Sequence, residues 1–321
     1  MLQSFASMKV IVDCSIEMNG MSNISVIICT KDRIDELNRI FRSLDRQTKL
    51  PDELIIVDAS LDDKTAKLVQ NRSYFSKYSI KYIKSPPGLT TQRNIGIKAS
   101  SGKYIQFFDD DVVLDDNYIL VVYKTFQKFK GQKIGGITGR IVNNHDKRSA
   151  FDILIKKLFF LTEYGKGRLK LSGFPAHRND AKLSFVNVLS GCCMAFNRKV
   201  FTDYLFDEKL SGYSYMEDVD LSYRVSKGYN LIYQPAAKLK HLSETYKISD
   251  TRSLRKMMVQ NHLYLFKKNL PKNIAYIFAF ALSILGLVLY NALFLKDYKA
   301  CKGIFEGLIS HTSRIRYITK L

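Results

Sequence analysis

Four short strand-like runs alternating with helical stretches constrain this chain more than any other feature of it. The runs are "ISVIIC" from residue 24, "ELIIVD" from 53, "SIKYIK" from 79 and "KYIQFF" from 103. After the first, Ile34, Leu37, Ile40, Phe41 and Leu44 recur at helical spacing. "SLDD" opens a second helix with a capping pattern, and "LTTQRNIGIKAS" reads as a third, ending near Gly102. This order predicts an α/β, Rossmann-like fold: a mostly parallel central sheet with helices on both faces. The 321 residues leave room for one such domain of roughly 250 residues and an appendage.

In such sheets ligands bind beyond the carboxyl ends of the strands. Thr30, Asp58 and the run Asp109, Asp110, Asp111 stand at those ends, so they are expected to face one crevice. Three adjacent carboxylates repel one another and are costly to bury. A hard divalent cation, Mn²⁺ or Mg²⁺, held by Asp111 with Asp109 beside it would neutralise them and bridge to a diphosphate. A solvated acidic turn is the plainer reading, and the position directly after "YIQFF" favours metal. The second acidic group, "MEDVD" at 216–220, reads either as a helix N-terminus stabilised by the dipole or as the seat of a general base at Asp218. His241 follows another strand and is a third metal ligand or a structural histidine. Arg93 in "TTQRN" is a partner for phosphate or base, or a surface arginine.

Beyond residue 130 the alternation weakens. "KIGGITGRIV" predicts a strand and 150–162 a helix. "LSFVNVLSGCCMAFNRKVF" predicts a strand, a glycine turn, a second strand and the start of a helix. "YMEDVDLSYRVSKG" is amphipathic with a glycine stop, "YNLIYQP" a short strand, and 251–270 a long basic helix. Residues 274–295 carry no charge, and a helix of that length crosses a hydrocarbon core of about 30 Å. Six basic and no acidic residues lie in 251–273, and six basic and two acidic in 296–321. A buried core helix is the plainer reading, though such helices seldom run this long without a charge. With both flanks basic, a single span, a hairpin and an interface-bound helix fit equally. The net charge of +20 calls for an anionic partner: nucleic acid, an acidic membrane surface or a phosphorylated substrate. Cysteines 14, 29, 192, 193 and 301 show neither a CxxC pair nor zinc spacing, which favours a reduced chain. Residues 1–21 are irregular, contain Met8, Met18 and Met21, and lack a cleaved signal-peptide pattern. The expected division is an uncertain segment 1–21, a catalytic domain 22–250, and a basic helix, span and tail in 251–321.

With these residues in view, the chain resembles a family 2 glycosyltransferase of the GT-A fold. "ISVIICTKDR", "LIIVDAS", "LTTQRNIGIKASSGKYIQFFDDD", "LSGCCMAFNRKVF" and "YMEDVDLSYRVSKGY" match that family's landmarks in order and spacing, over about residues 22–245. The resemblance implies inverting transfer of a sugar from a nucleotide-diphosphate sugar to a hydroxyl of a glycan or lipid-linked acceptor, with Mn²⁺ or Mg²⁺. By position it implies that Thr30, Asp58 and Arg93 hold the nucleotide, with Asp110 beside them. Asp109 and Asp111 match the DxD carboxylates for ribose and metal, and His241 the late metal-binding histidine of some members. Asp218 matches the catalytic base, with Glu217 and Gly191 on the acceptor side. "VDAS" replaces the family's "VDDGS", with Ala59 for the second Asp, and "TKDR" replaces "TYNR", which leaves the nucleotide open. The absence of tryptophan, and so of the QxxRW motif, together with a single apolar span, points to single-sugar addition. Cell-surface polysaccharide synthesis is the expected setting, at the cell membrane with the catalytic domain on the cytoplasmic face.

Two other classes compete. A nucleotidyltransferase acting on sugar phosphates would show a glycine-rich loop after the first strand, and "CTKDRIDE" has no glycine. A basic, membrane-associated nucleic-acid-binding protein would interleave basic and aromatic residues on one face. Here the basic residues are dispersed and the ordered carboxylates would go unexplained, so no nucleic acid is expected as a partner.

Overall fold

The computed structural model describes residues 10–13, 23–73, 76–143, 150–161, 164–210, 214–242 and 250–318. The chain divides into two compact units, one from residues up to 145 and from 179 to 243, the other from 146 to 178 and from 244 onward. The segment 146–178, expected within the catalytic domain, therefore belongs with the C-terminal helices.

The first unit is built on one sheet. Its parallel half holds β2 (Ile24–Thr30), β3 (Glu53–Asp58), β4 (Ser79–Lys84) and β5 (Tyr104–Asp109). Strand β1 (Val10–Asp13) pairs antiparallel with β4, inside the segment where the sequence promised no element. The intervening helices are α1 (Ile34–Asp45), α2 (Lys64–Ser73) and α3 (Leu89–Ala99). Every residue of β3 is buried, as in a strand covered on both faces. Alternation decides which side chain meets which layer. Val26 and Ile28 join the cluster containing Leu37, Ile40, Phe41 and Leu44 of α1. Ile27 joins the opposite cluster with Ile97 of α3. Each such side chain contributes about 1.5–3 kcal/mol by leaving water. Gly96 lets α3 approach closely, since a Cβ there would lie 2.5 Å from Ile27 Cγ2.

The second half of the sheet is mixed. After β6 (Val112–Leu114), α4 (Tyr118–Lys128) and β7 (Ile134–Ile141), the chain leaves for the other unit through α5 (Ala150–Leu158), β8 (Arg168–Leu169) and β9 (Pro175–Ala176). It returns with β10 (Ser184–Val186), β11 (Met194–Asn197), α6 (Glu217–Val225) and β12 (Asn230–His241). The sheet order is β1-β4-β3-β2-β5-β11-β7-β12-β10, with β6 paired to β12. β11 runs antiparallel to both β5 and β7. The expected helix after β11 is only a short 3₁₀ turn, Arg198–Thr202. β12 is twelve residues long and continues through Pro235 to His241, where the sequence suggested a strand ending at the proline. Proline donates no N–H, and the ladder with β7 shifts register between Tyr233 and Lys238 instead of ending.

The second unit contains α7 (Thr251–Asn269), α8 (Ile274–Leu289), a π turn at Tyr290–Phe294 and α9 (Tyr298–Ile318). Val259, Ile284, Leu287 and Ile304 bind the three helices together. Ile274–Phe294 is the one segment among the described residues long and apolar enough to cross a membrane, by length and composition.

Candidate active site

The parallel register sets the expected strand ends side by side. Thr30 is paired with Asp58, and Cys29 with Asp109. Asp109 ends β5, and Asp110 and Asp111 form the turn to β6. Because β6 pairs with β12, Val112 lies opposite His241, and the Leu242 N–H donates to the Asp111 carbonyl at 2.8 Å. Asn143 clamps the His241 backbone from the other side, donating to its carbonyl and accepting from its N–H, both at 2.9 Å. One short ladder thus brings an imidazole to carboxylates some 130 residues earlier in the chain.

Ligand atoms of Asp109, Asp111 and His241 all lie within 4.8 Å of one another. His241 Nε2 stands 3.0 Å from Asp111 Oδ1. That buried oxygen nevertheless accepts no aligned hydrogen bond. Two carboxylates and an imidazole, with a buried oxygen left over, fit a divalent cation such as Mn²⁺ or Mg²⁺. Burial disfavours charge on both Asp111 and His241, but each is outweighed by its partners. Asp111 is held below the usual carboxylate range by His241 and Arg33, and His241 is raised by Asp111.

Asp110 points elsewhere. Thr30 Oγ1 donates to it at 2.7 Å and Arg33 Nη1 lies 2.9 Å away. Burial pushes its carboxyl up to about 7 against those two partners. Arg33 also donates to Asp111 Oδ2 at 3.0 Å, so one guanidinium fixes two of the three carboxylates. The sequence reading missed Arg33. Its only signal was its place in "TKDR", the loop after the first strand.

Arg93 is 2 % exposed, and its guanidinium is engaged within the chain. It reaches Asp109 at 3.1 Å, the Gly191 carbonyl at 3.2 Å and the Glu217 carboxylate. Burial works against its charge, and Glu217 and Asp109 more than offset this, so its pKa is raised. Burial likewise pushes Glu217 up, and Glu217 Oε2 has no hydrogen-bond partner. Asp58 is fully buried, with Ser60 N–H and Oγ donating to Oδ1 at 2.9 and 2.5 Å, and Tyr82 donating to Oδ2 at 2.7 Å. These bonds fix the carboxylate at the end of β3.

Asp218 opens α6. Met216, just before the helix, adopts a left-handed backbone with φ 70°, uncommon for a residue with a side chain. Asp218 Oδ2 accepts from Gly191 N–H at 2.7 Å and Oδ1 from its neighbour Val219 N–H at 2.8 Å. The glycine permits this contact: a Cβ on residue 191 would lie 3.0 Å from Asp218 Oδ2. Arg93 therefore joins the DDD turn, the Gly191 loop and the start of α6 into one cluster.

Residues 25–205, more than half of the chain, match the sequence profile of glycosyl transferase family 2. The chain belongs to that family. Among curated relatives, a cholesterol galactosyltransferase of Borreliella burgdorferi is 26 % identical over 182 residues, covering 56 % of this chain and 44 % of that protein. The uncharacterized glycosyltransferase YwdF of Bacillus subtilis is 34 % identical over 90 residues, 27 % of this chain and 32 % of the relative. The matched stretch spans less than half of either. Of the similar solved structures, GalNAc-T7 with UDP, GalNAc and Mn²⁺ superposes with a TM-score of 0.62 at 14 % identity, covering 93 % of this chain and 58 % of that one. The mannosyltransferase PcManGT from Pyrobaculum calidifontis, in complex with GDP-Man and Mn²⁺, gives 0.57 at 11 % identity, covering 92 % and 88 %. At such identities the likeness is one of fold, and the fold of this family 2 glycosyltransferase is GT-A.

Proposed function

We propose that the first unit transfers a hexose, with inversion, from a nucleotide-diphosphate sugar to a hydroxyl of a glycan or lipid-linked acceptor. The observation that carries this reading is the convergence of Asp109, Asp111 and His241, whose ligand atoms lie within 4.8 Å of one another, together with Asp218 at a helix start. A divalent cation held by those three residues would supply positive charge for the departing diphosphate. Arg33 and Thr30 fix the carboxylates that hold it. Asp218 takes the proton of the acceptor hydroxyl as that oxygen attacks the anomeric carbon. Its two backbone N–H bonds aim the carboxylate without neutralising it. Glu217, Arg93 and Gly191 keep the base in register with the metal side of the cleft.

We assign the reaction to single-sugar addition in cell-surface polysaccharide synthesis, with the catalytic unit at the cytoplasmic face of the membrane. The apolar segment Ile274–Phe294 and the charge of +20 support attachment to an anionic bilayer. The relative named as a cholesterol galactosyltransferase supports a membrane-borne acceptor. A screen of nucleotide sugars with purified full-length protein tests this function. Release of nucleoside diphosphate should require Mn²⁺ or Mg²⁺ and stop in EDTA. Undiminished release in EDTA, or none from any nucleotide sugar, contradicts it.

A further inference from the structure

Helix α5 is inside out for a helix in water. Two of its three charged residues, Asp152 and Lys156, one turn apart, face inward with side chains only 15 % and 12 % exposed, while Lys157 is exposed beside Leu158. Asp152 accepts a 2.6 Å hydrogen bond from the Tyr290 hydroxyl, and the Lys156 ammonium stands 4.7 Å from the centre of that ring. Its apolar residues Phe151, Leu154 and Leu158 face outward, 58–61 % exposed. Water selects the reverse arrangement, whereas an apolar medium selects this one.

The neighbouring helices repeat the pattern. On α8, Ile274, Phe278 and Leu285 share one exposed stripe, while Ala279, Ser283, Ile284 and Leu287 are buried on the other face. On α9, Tyr298, Phe305 and Ile309 lie exposed at the same helical spacing. Phe151 meets Phe294 at a ring separation of 6.0 Å, so the stripe of α5 runs on into the end of the α8 segment. Exposed lysines flank this surface, Lys267, Lys268 and Lys272 before α8 and Lys296 and Lys299 after it, and Lys302 is exposed within the α9 stripe, one turn beyond Tyr298.

We propose that α5, α8 and α9 form an in-plane docking face that inserts into one leaflet of an anionic lipid bilayer. This rests on the membrane attachment proposed above and specifies its mode. The neighbours of α8 argue against a lone span. Ile284, near the middle of the apolar segment, clusters with Val259 of α7 and Ile304 of α9. Lys256 lies within a turn of Val259, and Lys302 and Glu306 lie within a turn of Ile304. A membrane-crossing α8 would carry those charges to mid-bilayer depth, where they are costly. Lying in the interface, the apolar stripes enter the acyl region and the lysines meet headgroups.

The test uses full-length protein purified in detergent and mixed with vesicles of phosphatidylcholine, with or without phosphatidylglycerol. Flotation should bring the protein up with the phosphatidylglycerol vesicles, and more weakly with phosphatidylcholine alone. Leu154→Glu with Leu158→Glu should lower the bound fraction about tenfold. Because that variant could fold poorly, depth is measured separately. Fluorophores on single cysteines at Leu154→Cys and Leu285→Cys should both be quenched better by shallow than by mid-bilayer nitroxide lipids. Deep quenching at 285 with none at 154 shows a crossing helix; it overturns the in-plane mode and leaves attachment standing. Wild-type protein that never floats overturns both, while the donor screen still stands on its own. A Glu variant that floats as before but changes oligomeric mass assigns the face to a second copy and overturns the proposal.

Discussion

Asp218 holds two backbone N–H groups, from Gly191 at 2.7 Å and Val219 at 2.8 Å, and this local fact sets what its replacement does. Asn keeps the size of Asp but cannot take a proton at neutral pH. Asp218→Asn should leave the calorimetric affinity for donor nearly unchanged and lower turnover at saturating donor by about 10² or more. Wild-type turnover in that variant would move the base elsewhere, with Glu217 next in line. Gly191→Ala tests the same carboxylate indirectly. The added Cβ would lie 3.0 Å from Asp218 Oδ2 and 3.2 Å from its Cγ, so the carboxylate must move. A drop of about tenfold in turnover, with the melting temperature little changed, is expected from misplacing a catalytic group; unchanged turnover would show that this contact does not aim the base. Thr30, Asp111 and Asp218 were legible in the sequence because each ends an apolar run or begins a helix. Arg33 was not. Its reach to Asp110 and Asp111 depends on the path of the loop, in which Asp32 adopts φ 56°, and hydrophobic periodicity carries no trace of that path.

At the scale of elements, the parallel strands are tied together at the end opposite the active site by Glu53. Its buried carboxylate accepts from Ser25 Oγ at 2.5 Å, Ser101 N–H at 2.5 Å and Lys81 Nζ at 2.9 Å. Burial raises its pKa, and these donors together outweigh burial, so the folded pKa is lowered from 4.5. A carboxylate with a depressed folded pKa stabilises fully above its unfolded pKa, and that contribution fades as pH falls through the folded value. Glu53→Gln should therefore cost about 1.5–3 kcal/mol in denaturant melts near neutral pH, since charge-assisted hydrogen bonds are lost. The gap from wild type should narrow as pH drops below 4.5. A gap that is constant with pH would show that the charge of Glu53 contributes nothing. The parallel half of the sheet was readable because each strand is one compact run closed by a polar residue. The mixed half was less so: Pro235 cut β12 in the pattern, though the ladder only shifts there. Helix α5 was legible as a helix, but periodicity does not say which stripe faces out, and its inverted polarity appears only when Asp152 meets Tyr290.

The whole molecule joins a GT-A unit, which holds every candidate catalytic residue, to a helical unit with exposed apolar residues on α5, α8 and α9. The run of five motifs pointed to the first from sequence alone, and the profile match over 25–205 shows the family. The assignment of 146–178 to the second unit was hidden, because it depends on contacts across sequence, such as Phe159 against Gly286 and Ser172 against His262. The proposed function turns on one candidate divalent-cation site, where ligand atoms of Asp109, Asp111 and His241 converge within 4.8 Å. Electron paramagnetic resonance of free Mn²⁺ measures that site without knowledge of the acceptor. Titrating full-length protein should reveal one bound ion per chain, held more tightly when UDP or GDP is added. Binding should be lost in Asp111→Ala, weakened in His241→Ala and kept in Asp218→Asn. Equal Mn²⁺ binding by wild type and Asp111→Ala would contradict the account at its centre.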